Sequence, residues 1–105
     1  MIIKKKSKAI KFFEKITGGP LTMAKILNSI RLGEEMNQIE FAKLLGISKS
    51  NLCDIEKGRR FISPEMAAGF AEKLGDSKEQ FIRIALQDQL HRAGLHYNVE
   101  IIKAA

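Results

Sequence analysis

Residues 38–60, Gln-Ile-Glu-Phe-Ala-Lys-Leu-Leu-Gly-Ile-Ser-Lys-Ser-Asn-Leu-Cys-Asp-Ile-Glu-Lys-Gly-Arg-Arg, read as two short helices joined by one tight turn. Phe41, Leu44 and Leu45 fall at i, i+3 and i+4, one face of a first helix. Ala42 is small where a second helix must cross closely. Gly46 stands where the first helix should end, because glycine reaches the left-handed conformation without a Cβ penalty. Ile47 can tuck beneath the turn. Ser48 is an N-cap, its hydroxyl accepting from amides one turn ahead. Leu52 and Ile55 hold the second helix against the first, and Gly58 supplies the next stop.

That second helix is unusually polar. From Ser48 to Glu56 only Leu52, Cys53 and Ile55 are apolar, which leaves Lys49, Ser50, Asn51 and Asp54 facing outward. A helix anchored so sparingly suits one laid into a DNA major groove. The spacing from Ala42 through Gly46 to Leu52 and Ile55 is that of a helix-turn-helix.

The stretch Asn-Gln-Ile-Glu-Phe-Ala-Lys-Leu-Leu-Gly-Ile-Ser-Lys-Ser-Asn-Leu-Cys-Asp-Ile-Glu-Lys-Gly-Arg-Arg resembles the Xre, or lambda-repressor-like, regulators, which include phage repressors and antitoxins of toxin–antitoxin operons. The resemblance covers residues 21 to about 90 and includes a Gln opening the first motif helix and the Ile-Glu-x-Gly-x-Arg ending. It implies an all-α, five-helix lambda-repressor-like DNA-binding domain, here with a short C-terminal β-strand and a basic N-terminal arm.

Composition is that of an ordinary globular protein: 105 residues, 45% apolar and 29% charged, enough for one modest core. No apolar run approaches the roughly 20 residues of a membrane span, and no secretory signal is visible, so no membrane partner is expected. A single cysteine cannot form an internal disulfide, which fits a reducing cytoplasm. The net charge of +6 is unevenly placed. Residues 1–15 hold six lysines and one glutamate, whereas residues 16–105 hold 12 basic and 11 acidic groups. Residues 43–60 carry Lys43, Lys49, Lys57, Arg59 and Arg60 against Asp54 and Glu56, while residues 61–105 come to −1. The asymmetry favours a DNA-facing side and a separate face turned away from DNA.

The chain divides into a basic arm with a Gly-Gly-Pro linker (1–20), the helix-turn-helix domain (21–94) and a tail (95–105). The arm is read as helical from about Ser7 to Ile16, and Gly18-Gly19-Pro20 breaks it. Thr22 caps a helix running to Leu32 with Met23, Ile26, Leu27 and Ile30 on one face. Ser63-Pro64-Glu65 opens another, with Phe70, Ala71 and Leu74 inward and Gly75 ending it. Ser77 with Gln80 resembles a capping box for the last helix, which carries Phe81, Ile84 and Ala85. After Gly94 the period becomes two: Leu95, Tyr97, Val99 and Ile101 alternate with His96, Asn98, Glu100 and Ile102, as in a half-buried strand. A lone strand on a helical domain has no obvious partner. It can pack back on the last helix or stay unstructured; the preferred expectation is pairing with its own copy, making these four residues dimerisation contacts.

The resemblance assigns contacts. Lys49 and Ser50 open the recognition helix and are expected at base edges, with Asp54 one turn on able to accept from a cytosine amine. Many relatives carry Gln where Lys49 stands. Gln38, Ser48, Asn51, Lys57, Arg59 and Arg60 are expected at phosphates, which makes affinity salt-sensitive. Glu56 resembles the family's structural acid, paired with Arg31. Cys53 reads as a helix-face residue. His91 and His96 straddle Gly94 with a spacing wrong for one helix face, so no metal is expected. Met23, Met36 and Met66 read as core fillers. Ser48 and Ser50 have no histidine near in sequence, and neither catalysis nor a cofactor is indicated.

The arm fits three readings: a solvated tail, a segment trailing along DNA, or a docking segment using Ile10, Phe12, Phe13 and Ile16. Two functional classes follow. One is a homodimeric repressor on a palindromic operator of double-stranded DNA, with half-sites about one helical turn apart. Within it an antitoxin repressing its own operon ranks first, and a phage- or plasmid-type repressor without a toxin second. The other is a protein-binding module whose main task is neutralising a cognate toxin.

Overall fold

Five helices form where caps and apolar stripes place them. The structure is a computed structural model in which residues 2–4 and 21–104 are described, the first three through their backbone alone. The expected arm helix at 7–16, its Ile10, Phe12, Phe13 and Ile16, and the Gly-Gly-Pro break lie outside the described residues. In chain order the elements are β1 (Ile2–Lys4), α1 (Met23–Gly33), α2 (Gln38–Leu45), α3 (Lys49–Glu56), α4 (Pro64–Leu74), α5 (Lys78–Arg92) and β2 (Asn98–Glu100).

Each helix start has a side-chain acceptor for an orphan amide, as helix termini require. Thr22 accepts from Lys25 N–H at 3.1 Å, and Ser48, Ser63 and Ser77 accept from the third residue beyond each. The full capping box stands at α2: Asn37 Oδ1 accepts from Glu40 N–H at 2.8 Å, and Glu40 Oε1 from Asn37 N–H at 3.1 Å. At α5 only half the expected box forms, because the Gln80 carboxamide oxygen accepts from Arg83 instead. Gly33 comes too early to stop α1; the reversal falls on Glu35, at φ 55°.

One core joins the helices: Met23 and Leu27 of α1, Phe41, Ala42 and Leu45 of α2, Leu52 and Ile55 of α3, Phe70 and Ala71 of α4, and Phe81, Ile84 and Ala85 of α5 are buried. Ile26, Ile30, Ile47 and Leu74 pack against its margin. Leu44 departs from the expected stripe and is exposed, because α2 turns the arc of Phe41, Ala42 and Leu45 inward. Here Ala42 takes the inward place that spacing alone gives to Leu44.

The tail differs most from the sequence expectation. β2 has a partner within its own chain: it pairs antiparallel with β1, in the register Ile2–Glu100, Ile3–Val99 and Lys4–Asn98. Strict alternation is absent as well. Val99 and its neighbour Asn98 are both buried, while Leu95 and Tyr97 are exposed and Ile101 is half-buried. Adjacent strand residues point to opposite faces, so β2 is covered on both faces at its centre and uncovered at its ends.

Candidate nucleic-acid interface

The turn between α2 and α3 is held from two sides. Gly46 takes the left-handed conformation (φ 77°, ψ 28°), and the Ile47 amide bonds the Ala42 carbonyl at 3.0 Å. From α4, the Lys73 ammonium donates to the Leu45 carbonyl at 2.9 Å, satisfying an end-of-helix acceptor with a cation where the helix dipole favours one. A Cβ added at Gly46 would lie 2.5 Å from that nitrogen.

Behind α3 sits an acid fed by several donors. Glu56 accepts from Arg31 Nε at 2.9 Å and Nη2 at 3.1 Å, from Asn28 Nδ2 at 3.2 Å and from Gln38 Nε2 at 3.1 Å. The Arg31 and Glu56 side chains are only 14% and 6% exposed. Burial pushes the Glu56 carboxyl up, but the hydrogen bonds from Arg31, Gln38 and Asn28, with the charge of Arg31, outweigh it and hold the group below 4.5. Arg31 also donates through Nη1 to the Met36 carbonyl at 3.2 Å, which ties the α1–α2 loop to the same node. The arrangement is structural: it locks the C-terminal end of α3 to α1 and to the start of α2.

With Leu52 and Ile55 buried beneath, α3 turns Lys49 and Ser50 to solvent at its N-terminal end. Lys57, Arg59 and Arg60 are exposed just past its other end, and Lys43 is exposed on α2. Ser48 is exposed and accepts from Asn51 N–H at 3.0 Å, which leaves its hydroxyl hydrogen available for a further bond. Asp54 is half-buried, and its carboxylate lies 3.8 Å from Nη1 of the exposed Arg59, a long surface contact of little energetic weight.

Two expected phosphate residues sit less freely. Gln38 is half-buried and donates from its carboxamide inward to Glu56, so what it presents outward is chiefly its backbone amide at the first position of α2. Asn51 is half-buried too, with its Oδ1 enclosed and without a hydrogen-bond partner among the described residues. Asn28, Lys73 and Arg92 are supports that sequence reasoning missed. Arg92 donates to the Gly58 carbonyl at 2.7 Å and lies 4.1 Å over the Phe61 ring, fixing the loop that carries Arg59 and Arg60. Lys73 and Arg92 reach backbone carbonyls 28 and 34 residues away in sequence, which no local periodicity encodes.

Among the described residues, no group of three or more His, Cys, Asp or Glu could hold a metal ion, and no helix is long and apolar enough to cross a membrane. A family model described as helix-turn-helix matches residues 27–81, more than half of the chain, from within α1 into the first turn of α5. Comparison with curated proteins gave no match, and neither did comparison with solved structures.

Proposed function

Since the chain belongs to the helix-turn-helix family, whose domain is that of DNA-binding transcription regulators, we propose that it is a sequence-specific repressor acting on double-stranded DNA as a homodimer. The observation that carries this reading is α3: Lys49 and Ser50 are exposed at its start, while Leu52, Ile55 and the Glu56 network hold its inner side rigidly. A rigid helix with a short polar tip is what major-groove readout needs. Lys49 donates to guanine O6 or N7, Ser50 contacts a neighbouring base, and Asp54 accepts from a cytosine amine where Arg59 releases it. Ser48, Lys57, Arg59 and Arg60 hold phosphates, joined by Asn51 through its Nδ2 and by Gln38 through its backbone amide.

Within this class the reading we favour is an antitoxin that represses its own operon and binds a cognate toxin. Its support is the resemblance of the motif to such antitoxins and the exposed apolar residues Leu95, Tyr97 and Ile102 of the tail. Selecting binding sites from a random DNA pool yields the operator. Lys49→Ala with Ser50→Ala then abolishes the footprint on it while leaving the fold unchanged; a retained footprint would overturn the assignment of α3. Recovery of the neighbouring gene's product with the native protein separates an antitoxin from a repressor that works alone.

A further inference from the structure

Arg92, the last residue of α5, lies beyond the stretch that the helix-turn-helix model matches, yet it reaches the loop that leaves α3. Its guanidinium is held in two ways. Nη2 donates to the Gly58 carbonyl at 2.7 Å, which fixes its reach, and the group lies 4.1 Å over the Phe61 ring, which fixes its plane. Phe61 is 50% exposed, although a large aromatic gains more from entering a core. Its neighbour Ile62, 4% exposed, takes the inward place instead. An aromatic left at the surface under a cation serves as a platform for it.

The charge around this cation is not balanced. Arg60, Phe61, Asp88 and Arg92 line one small cavity, which brings two guanidinium side chains to a single carboxylate. Asp88, one turn back on α5, attracts Arg92 by charge, while its own hydrogen bond goes to the Met23 amide. Lys57, Arg59, Arg60 and Arg92 thus stand against Asp54 and Asp88, an excess of positive charge. A guanidinium carries several N–H donors in a rigid fork. Among the described residues, the Gly58 carbonyl is the acceptor that Arg92 meets. The remaining edge of this exposed side chain is open to a further acceptor, and the surplus charge selects an anion.

We propose that Arg92 is a phosphate contact in the complex with DNA, closing with Arg59 and Arg60 on the sugar–phosphate backbone beside the groove that α3 enters. The inference rests on the DNA-binding reading above and adds to it a contact from the last helix. Arginine suits the place because its fork matches two phosphate oxygens at once. The rotamer freedom that a long side chain loses on binding is already lost in the free protein, through Phe61 and Gly58. A phosphate contact carries no base information, so Arg92 sets affinity and leaves the preferred sequence to α3.

The test is binding of the full chain to the operator selected from the random pool, over a range of salt concentrations, for the unmodified protein, Arg92→Gln and Arg92→Lys. Gln keeps a donor for Gly58 and removes the charge. Arg92→Gln is expected to bind about tenfold more weakly, with a log–log salt slope shallower by about 0.9, while Arg92→Lys keeps the slope. Selection with Arg92→Gln should return the same sequence. A scan of neutral methylphosphonates along the operator separates contact from loop support. One substituted phosphate should weaken the unmodified chain, Arg59→Gln and Arg60→Gln, and leave Arg92→Gln unaffected. Phe61→Leu keeps every charge and tests the platform even if Arg92→Gln does not fold: affinity falls about threefold at an unchanged slope, and unchanged affinity overturns the inference. An unmoved slope in Arg92→Gln, or phosphate effects that match those of the unmodified chain, also overturns it and leaves the DNA reading standing. A pool that yields no bound sequence removes the DNA reading and this inference with it.

Discussion

Glu56 shows how a residue that looks like a contact becomes a support. It lies at the end of α3, yet its carboxylate is spent on Arg31, Asn28 and Gln38. Glu56→Gln leaves the Arg31 guanidinium enclosed without its counter-charge, so a loss of about 3 kcal/mol in unfolding free energy is expected from denaturant titration. The pH dependence has a definite sign. Because the folded carboxyl titrates below 4.5, its contribution is complete above that value and disappears as pH falls through the lowered one. The variant should lose that acid-side slope, and a slope identical to that of the unmodified chain would show the pair to be energetically idle. The motif's resemblance to its family was enough to anticipate Arg31 and Glu56. Asn28 was not legible, since a polar residue on a helix face carries no mark of what it will meet.

At the scale of the elements, the turn was legible because its chemistry is local. Gly46, Ile47 and Ser48 each have a role set by neighbours within one helical turn, and the structure has Gly46 left-handed and Ser48 as the cap. The clamp from α4 was not, because Lys73 meets Leu45 only after α2 and α4 pack together. The clamp predicts a coupling. Gly46→Ala forces a side chain into a left-handed residue at about 1–2 kcal/mol and drives Lys73 off the Leu45 carbonyl. Lys73→Met removes the same bond without touching the turn. In a double-mutant cycle the two losses should fall short of adding, by more than about 0.5 kcal/mol, and strict additivity would mean that the ammonium does not hold the turn. Of the strand expected over 95–102, only Asn98–Glu100 forms, and without the expected alternation. Its partner was missed because β1 sits in a lysine-rich stretch that composition assigns to a solvated arm.

Over the whole molecule α5 is the joining element, and little of that was visible in advance. Its apolar residues enter the core as expected, while its polar ones reach the other parts of the fold. The Asp88 carboxylate accepts from the Met23 amide at 3.0 Å at the start of α1, Arg92 holds the loop after α3, and Gln87 holds β2. Burial raises the Asp88 carboxyl above 3.8, against the opposing pull of the Met23 amide and Arg92. The folded state therefore loses stability as pH rises from 3.8 through the raised value. Asp88→Asn keeps an acceptor for Met23 and should flatten that portion of the stability profile; persistence of the slope would place its origin elsewhere. The chain has one tyrosine, Tyr97, and no tryptophan, so tyrosine emission reports on the tail and circular dichroism on the helices. The two signals should share a single denaturant midpoint, and an earlier tyrosine transition would show that the tail unfolds by itself.

The reach of Gln87, Asp88 and Arg92 has a consequence for how such a protein can be cut or rearranged. A fragment ending at residue 77 would contain the whole turn and the whole of α3, yet it would lack the acceptor at the start of α1 and the donor behind Gly58. Such a fragment would keep the words and lose the syntax, because α5 is what fixes the start of α1 and the loop that follows α3.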